Sequence, residues 1–251
     1  MDVFSQANPF WRLSEIADAT GLDRSTAHRM LRNFVDFGYL TYNRNTKLYI
    51  LGPTILRIAM TREAVMPTTA YYRQILADLT EDTGESTHAS ILAGHQLNTI
   101  AISEGPRMNR VVLTNGERLD PHATSSGLIC LAYAASGYLD RVLAQPMKAY
   151  SSKTFVTAAA VQVELQQIRS RGFALAVGTF DPEVFGLAAP IFGHDELAIG
   201  AIAVTLPLSR ITEDLLPVLA RATVEAALRA TAVEAGRVPS AYTEATRNLF
   251  E

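Results

Sequence analysis

The pattern of this chain predicts an α+β protein: a small helix-turn-helix head closed by a β-hairpin, a linker helix, and a larger α+β domain on one antiparallel sheet. Three observations carry that expectation. Two short amphipathic stretches separated by a glycine, then a hairpin pattern, fill the first fifty residues. A length of 251 residues suits one small and one larger domain. Beyond Pro67, apolar runs of strand length come in groups between longer helical ones.

In the first stretch Leu13, Ile16 and Ala17 share a helical face, Ser14 is the expected N-cap, and Gly21 ends the helix in a left-handed turn. Asp23 caps the second helix. Its buried stripe is expected to be Ala27, Met30, Leu31 and Phe34, with Ala17 and Ala27 small where the two helices cross. The opposite face holds Ser25, His28, Arg29 and Arg32, with Arg24 and Thr26 at the helix start. Such residues suit a helix that enters the DNA major groove, where Arg meets guanine edges or phosphates and hydroxyls meet phosphates. Gly38 to Tyr42 and Lys47 to Leu51 read as two strands around the polar turn Asn43-Arg-Asn-Thr, so Arg44 and Lys47 sit on a wing beside the recognition helix. The head is therefore a winged helix-turn-helix DNA-binding domain at residues 1–52, followed by a linker helix at 53–66.

Pro53 suits a first helical position, and Ile55, Leu56, Ile58 and Ala59 give a short apolar helix ending near Glu63 to Pro67. Within 67–251 a helix is expected over Thr68 to Thr83. Strands follow at Ser86 to Ala93, Leu97 to Ser103 and Arg110 to Leu113, then helices near Ser125 to Ala135 and Thr157 to Arg171. Strands at Leu187 to Phe192 and Ala198 to Leu206 and a closing helix from Glu213 to Glu234 complete the domain.

Bulk properties narrow the function. With 48% apolar and 19% charged residues the chain has the make-up of a globular protein. It has no run of about 18 uncharged apolar residues, and Met1 to Trp11 lacks the order of a signal peptide, so a cytoplasmic location without membrane contact is expected. Residues 1–60 hold seven Arg and Lys against five acids, whereas the remainder is acidic. That asymmetry fits a phosphate-facing head on an acidic body. Cys130 is the single cysteine, which rules out an internal disulfide and a multi-cysteine zinc site. His88, His95 and His122 match no common metal-ligand spacing, and no G-x-S-x-G surrounds Ser125 and Ser126 near His122. Neither metal, cofactor nor catalysis is expected. The same residues leave two rivals in view, an interaction module on a winged helix and a small-molecule enzyme with an accessory domain.

Several segments resemble the isocitrate lyase regulator (IclR) family of bacterial transcriptional regulators. They are Leu13-Ser-Glu-Ile-Ala, Gly21-Leu-Asp-Arg-Ser-Thr-Ala-His-Arg-Met-Leu, Tyr49-Ile-Leu-Gly-Pro, Leu119-Asp-Pro-His-Ala-Thr-Ser-Ser-Gly, Arg171-Gly-Phe, Gly186-Leu-Ala-Ala-Pro-Ile and Ala203-Val-Thr-Leu-Pro-Leu-Ser-Arg-Ile-Thr. The resemblance implies a helix ahead of Leu13, for which the residues before Asn8-Pro9 leave two turns. It implies a C-terminal effector-binding and oligomerisation domain and a small organic acid or aromatic metabolite as effector. Carried over position by position, the pocket walls would be Met108, Val111, Leu119, Ser125, Ser126, Ala176, Val184, Gly186, Ala203 and Thr205. The family has an acid, a thiol and a hydroxyl where this chain has Ala176, Gly186 and Ala203, and its acidic motif is altered to Gly178-Thr-Phe-Asp-Pro-Glu-Val-Phe. An effector with an apolar or aromatic body follows, since unpaired polar atoms against such walls would be penalised.

From the residues themselves, the polar turn before Leu128-Ile-Cys-Leu-Ala leaves helix-start amides unpaired. An anionic or strongly polar head is expected at Ser125, Ser126 and the Gly127 amide, with the body against Val111, Leu119 and Val184. The expected assembly is a homodimer or a dimer of dimers, acting as repressor or activator, with paired heads on double-stranded, pseudo-palindromic operator DNA.

Overall fold

A computed structural model describes every residue except Asp2, Gly94, His95, Asn115 and Glu117; His95, considered above as a metal ligand, thus lies outside the described residues. The chain divides into two compact units, Met1–Pro67 and Thr68–Glu251.

In the first unit α1 (Leu13–Thr20) buries Ile16 and Ala17 and closes at Gly21, whose φ of 67° is the left-handed conformation glycine tolerates. Arg12, not Ser14, occupies the N-cap. Glu15 Oε2 accepts from the Arg12 amide at 2.7 Å, and this reach back from the first turn places the cap two residues earlier than expected. Helix α2 (Arg24–Asp36) starts at Asp23, whose Oδ1 accepts from Thr26 N at 3.0 Å. Ala27 and Leu31 are its buried residues, whereas Met30 is 44% exposed. The buried stripe runs from Ala27 through Leu31 to the half-buried Phe34 and Val35, which leaves Met30 at its edge.

Strands β1 (Leu40–Asn43) and β2 (Leu48–Leu51) pair antiparallel, with Leu40 opposite Leu51 and Asn43 opposite Leu48. Asn43 Oδ1 accepts from the amides of Asn45 and Thr46, which folds the turn, and Lys47 takes a positive φ of 59° to re-enter the ladder. The two expected helical turns ahead of Asn8 are absent among the described residues. Ser5 Oγ accepts from Asn8 N at 3.1 Å, Pro9 keeps Asn8 out of a helix, and Trp11 exchanges two backbone hydrogen bonds with Tyr49. Helix α3 (Pro53–Val65) buries none of its residues within this unit.

The larger unit is a six-stranded antiparallel sheet in the order β5-β4-β3-β8-β7-β6. Its strands are β3 (Ser86–Ala93), β4 (Gln96–Ser103), β5 (Arg118–Leu119), β6 (Ala174–Val177), β7 (Val184–Phe192) and β8 (Ala198–Pro207). Helices α4 (Thr68–Thr83) and α8 (Leu215–Val233) cover one face, and α5 (Ser125–Ala132) and α7 (Ala158–Arg171) the other. Helices α6 (Ser136–Leu143) and α9 (Ser240–Thr246) were not expected, nor was β6.

The two faces differ in side-chain size because strand residues alternate. Leu187, Ala189, Ile191, Ile202, Val204 and Leu206 point to α4 and α8. Ala174, Ala188, Ala201 and Ala203 point to α5, which therefore packs close to the sheet with all eight of its residues buried.

The run Arg110 to Leu113 is not a strand, contrary to its β-branched pattern. Side chains replace a ladder there. Ser86 Oγ donates to Val111 O at 2.9 Å, Arg210 donates to Asn109 O, and Arg110 pairs with Glu104 at 2.6 Å. Arg107 and Arg210 both bond the buried Glu85 carboxylate, so this segment is held against the end of β3.

Candidate functional site

In the first unit a concavity of about 480 Å³ opens between α1, α2 and the hairpin. Arg12, Arg24, His28, Arg32 and Lys47 line it, together with Ser14, Tyr42 and Tyr49, and among the described residues no acid does. Arg24, His28 and Arg32 are four residues apart, one stripe along α2. Arg32 also lies 3.9 Å from Asp36, an exposed pair that holds little of its charge. Ser25 and Arg29 are exposed on the same helix but outside this groove, and Arg44 is exposed in the hairpin turn. Thr26 is half-buried, its amide taken by the Asp23 cap. A groove lined by Arg and Lys beside a helix with exposed Arg and Ser side chains can hold a phosphodiester strand and leave Arg29 to reach base edges.

In the larger unit the small sheet face leaves a cavity of about 240 Å³ at the start of α5. Its floor is a single cross-strand row. Ala176 on β6 is opposite Gly186 on β7, and Gly186 opposite Thr205 on β8; outside the lining the row continues to Ser86 on β3, opposite Thr205. His88, two residues along β3 on the same face, closes one side with Ser125 and Ser126 of α5. Val111, Val112, Leu113 and Leu119 form another side, and Phe180, Asp181 and Val184 a third. Gly186 has no room for more, because a Cβ there would stand 2.8 Å from Ser125 Oγ. A cavity of about 150 Å³ holds benzene, so this one admits a substituted ring or a body of similar size.

Its polar groups are mostly hydroxyls. His88 Nε2 lies 3.1 Å from Ser126 Oγ, which on paper pairs a base with a hydroxyl. Burial, however, lowers the His88 pKa to about 4, which makes the ring a weak base, and its Nδ1 has no hydrogen-bond partner to orient it. His122 is elsewhere, its Nε2 bonded to Lys148 O at 2.9 Å. Among the described residues no three His, Cys, Asp or Glu gather in a way that could hold a metal.

Comparison with known proteins decides the family. Residues 64–233 match the model described as the bacterial transcriptional regulator IclR C-terminal domain, and residues 1–44 match the IclR helix-turn-helix domain. The chain belongs to the IclR family. It is 31% identical over 218 residues, 86% of this chain and 77% of its relative, to the HTH-type transcriptional regulator BhcR of Paracoccus denitrificans. It is 26% identical over 222 residues, 85% of this chain and 79% of that one, to the transcriptional repressor IclR of Escherichia coli. A crystal structure of a protein from a Silicibacter species, assigned to the same family, shares 34% identity and a TM-score of 0.91, covering 96% of this chain and 95% of the other. These relatives are transcriptional regulators, not enzymes, and this chain is an IclR-family transcriptional regulator with a helix-turn-helix DNA-binding domain. No described helix is long and apolar enough to cross a membrane.

Of the positions carried over from the family, Val111, Leu119, Ser125, Ser126, Ala176, Val184, Gly186 and Thr205 line the cavity of this regulator, whereas Met108 and Ala203 do not, nor does Gly127, which was expected from the polar turn before α5. Met108 is 98% exposed, displaced outward because Arg107 on one side and Asn109 on the other are tied to Glu85 and Arg210. Ala203 shares the sheet face but is wholly buried under α5. Gly127 is absent from the lining, and its amide, expected to be open to a ligand, donates to Thr124 Oγ1 at 3.1 Å. Thr124 is thus the helix cap. Missed by the sequence reading were His88, Val112, Leu113, Thr124, Phe180 and Asp181 in the cavity and Arg12 in the groove. Arg12 carried a signal, a cation at the start of the helix that precedes α2. His88 carried none beyond strand alternation.

Proposed function

We propose that this IclR-family regulator binds double-stranded, pseudo-palindromic operator DNA as a homodimer or dimer of dimers, each head placing α2 in a major groove. We propose also that its response is set by a small organic, partly apolar or aromatic acid or related metabolite in the cavity beside α5. The observation that carries the first reading is the division of α2, with Ala27 and Leu31 buried and Arg24, Ser25, His28, Arg29 and Arg32 exposed, three of them on the cationic groove. The second rests on the cavity's make-up, in which Val111, Val112, Leu113, Leu119, Phe180 and Val184 outweigh a few hydroxyls.

Arg29→Ala is expected to weaken operator binding by about 1–3 kcal/mol, the worth of a bidentate base contact, and to relax preference at one base pair. Arg44→Ala is expected to weaken operator and random DNA alike and to lower the salt slope by about one, as one lost phosphate contact does. Selection of bound DNA from a random pool supplies the operator, and titrations at several salt concentrations separate the two effects. Unchanged affinity in a folded Arg29→Ala chain would remove α2's reading role. A changed sequence preference in Arg44→Ala would remove the phosphate role of the wing.

A further inference from the structure

His88 is the buried polar group of the cavity wall that packing alone does not account for. It is 5% exposed, lies between β4 and β8, and carries one nitrogen, Nδ1, without a hydrogen-bond partner, while Nε2 faces Ser126 Oγ at 3.1 Å. Burial keeps the ring neutral, so it bears a single N–H. With the proton on Nδ1, a buried donor would be orphaned. With it on Nε2, the ring donates to Ser126 Oγ and leaves only a lone pair unmatched, and orphaned buried N–H groups are the rarer of the two. The Nε2–H tautomer is therefore preferred.

A serine oxygen that accepts from His88 turns its own proton elsewhere, and Ser126 borders the cavity. Ser125 Oγ faces the same space, beside Gly186. The other hydroxyls are committed. Thr124 Oγ1 donates to Asp120 O and accepts from Gly127 N, and Thr205 Oγ1 donates to Ser86 O. Among the described residues no Lys or Arg lines the cavity, and the one carboxylate that does, Asp181, is exposed.

We infer that His88 is a specificity-determining residue: by holding Ser126 as a hydrogen-bond donor, it makes the cavity select a ligand whose head is an oxygen acceptor with at most one negative charge, against amine heads and dianions. This rests on the cavity being the effector seat proposed above. The two serine protons satisfy a carboxylate or carbonyl oxygen. An ammonium head would place its donors against theirs, and a second negative charge would be desolvated with no cation beside it.

The test is calorimetric titration of the full chain and of His88→Gln and His88→Leu with benzoate, benzylamine and toluene. The expected result is at least a ten-fold preference for benzoate over benzylamine in the unaltered chain. His88→Gln, which keeps a donor near Nε2, is expected to retain the preference, and His88→Leu to lose it while still taking toluene. Equal binding of benzoate and benzylamine by the unaltered chain, or a preference that survives in His88→Leu, overturns the inference but leaves the cavity reading in place. Refusal of all three probes overturns the cavity reading and the inference with it. Should His88→Leu fail to fold, Ser126→Ala is expected to lose the same preference, and its retention would be equally decisive against the proposal.

Discussion

Acidification from pH 7 to pH 4 is expected to cost the larger unit about 3 kcal/mol through His88 alone, from a displacement of its pKa from 6.5 to about 4. The ring is buried and neutral in the folded unit, whereas in the unfolded chain it takes a proton near its ordinary pKa. The stability it permits is therefore complete above about pH 6.5 and falls as pH drops below that. The loss levels off near pH 4, where the folded state is protonated as well. Urea denaturation of the full chain and of His88→Gln at pH 7 and pH 4.5, followed by circular dichroism, isolates this contribution, because every carboxylate titrates in both. The same loss of midpoint on acidification in the two chains would show that His88 is not the group responsible.

Gly127→Ala is expected to destabilise the larger unit by about 3 kcal/mol, the upper part of what overpacking usually costs. A Cβ at this position would stand 2.3 Å from Pro121 Cα, 2.6 Å from Pro121 O and 2.7 Å from Pro121 C. All three are backbone atoms of the turn that leads into α5, so neither partner can rotate away. The effect runs against intrinsic preference, since alanine in place of glycine within a helix favours the helix by about 1 kcal/mol. Thr124→Ala, which removes the cap and the hydroxyl's bond to Asp120 O without adding bulk, is expected to cost about 1 kcal/mol. Urea midpoints of the two variants should differ accordingly, and a Gly127→Ala chain as stable as the parent would mean that α5 does not sit this close to Pro121.

Much of the architecture was legible because local signals agreed with one another. Thr68–Thr83 begins after Pro67, Gly21 has the left-handed φ its position demanded, and β7 and β8 carry long apolar runs that only a sheet covered on both faces could bury. The errors fall where distant side chains override local pattern. Arg110 to Leu113 has the residues of a strand, yet Ser86, remote in sequence, holds the Val111 carbonyl, and Arg210 the Asn109 carbonyl just before the run. Ala174 to Val177 pairs with β7 despite three small or weakly patterned residues, since its register is set by Gly186 and Ala188 opposite. The same distinction applies to the cavity. Ser125 and Ser126 were readable from a polar turn meeting an apolar helix, whereas His88 belongs there only because β3 pairs with β8 in a register that nothing in its own neighbourhood announces.

The unequal size of the two sheet faces has a consequence for how this hollow persists. Its emptiness comes from short side chains on one side of β7 and β8, and each alternates with a large neighbour such as Phe185, Leu187, Val204 or Leu206. A slip of either strand by one residue would swap the sets, driving leucine, valine and phenylalanine into the space beside α5 and stripping the packing from α8. The void is thus a property of strand alignment. The backbone ladder from Val184 opposite Pro207 to Phe192 opposite Ala198 guards it against collapse.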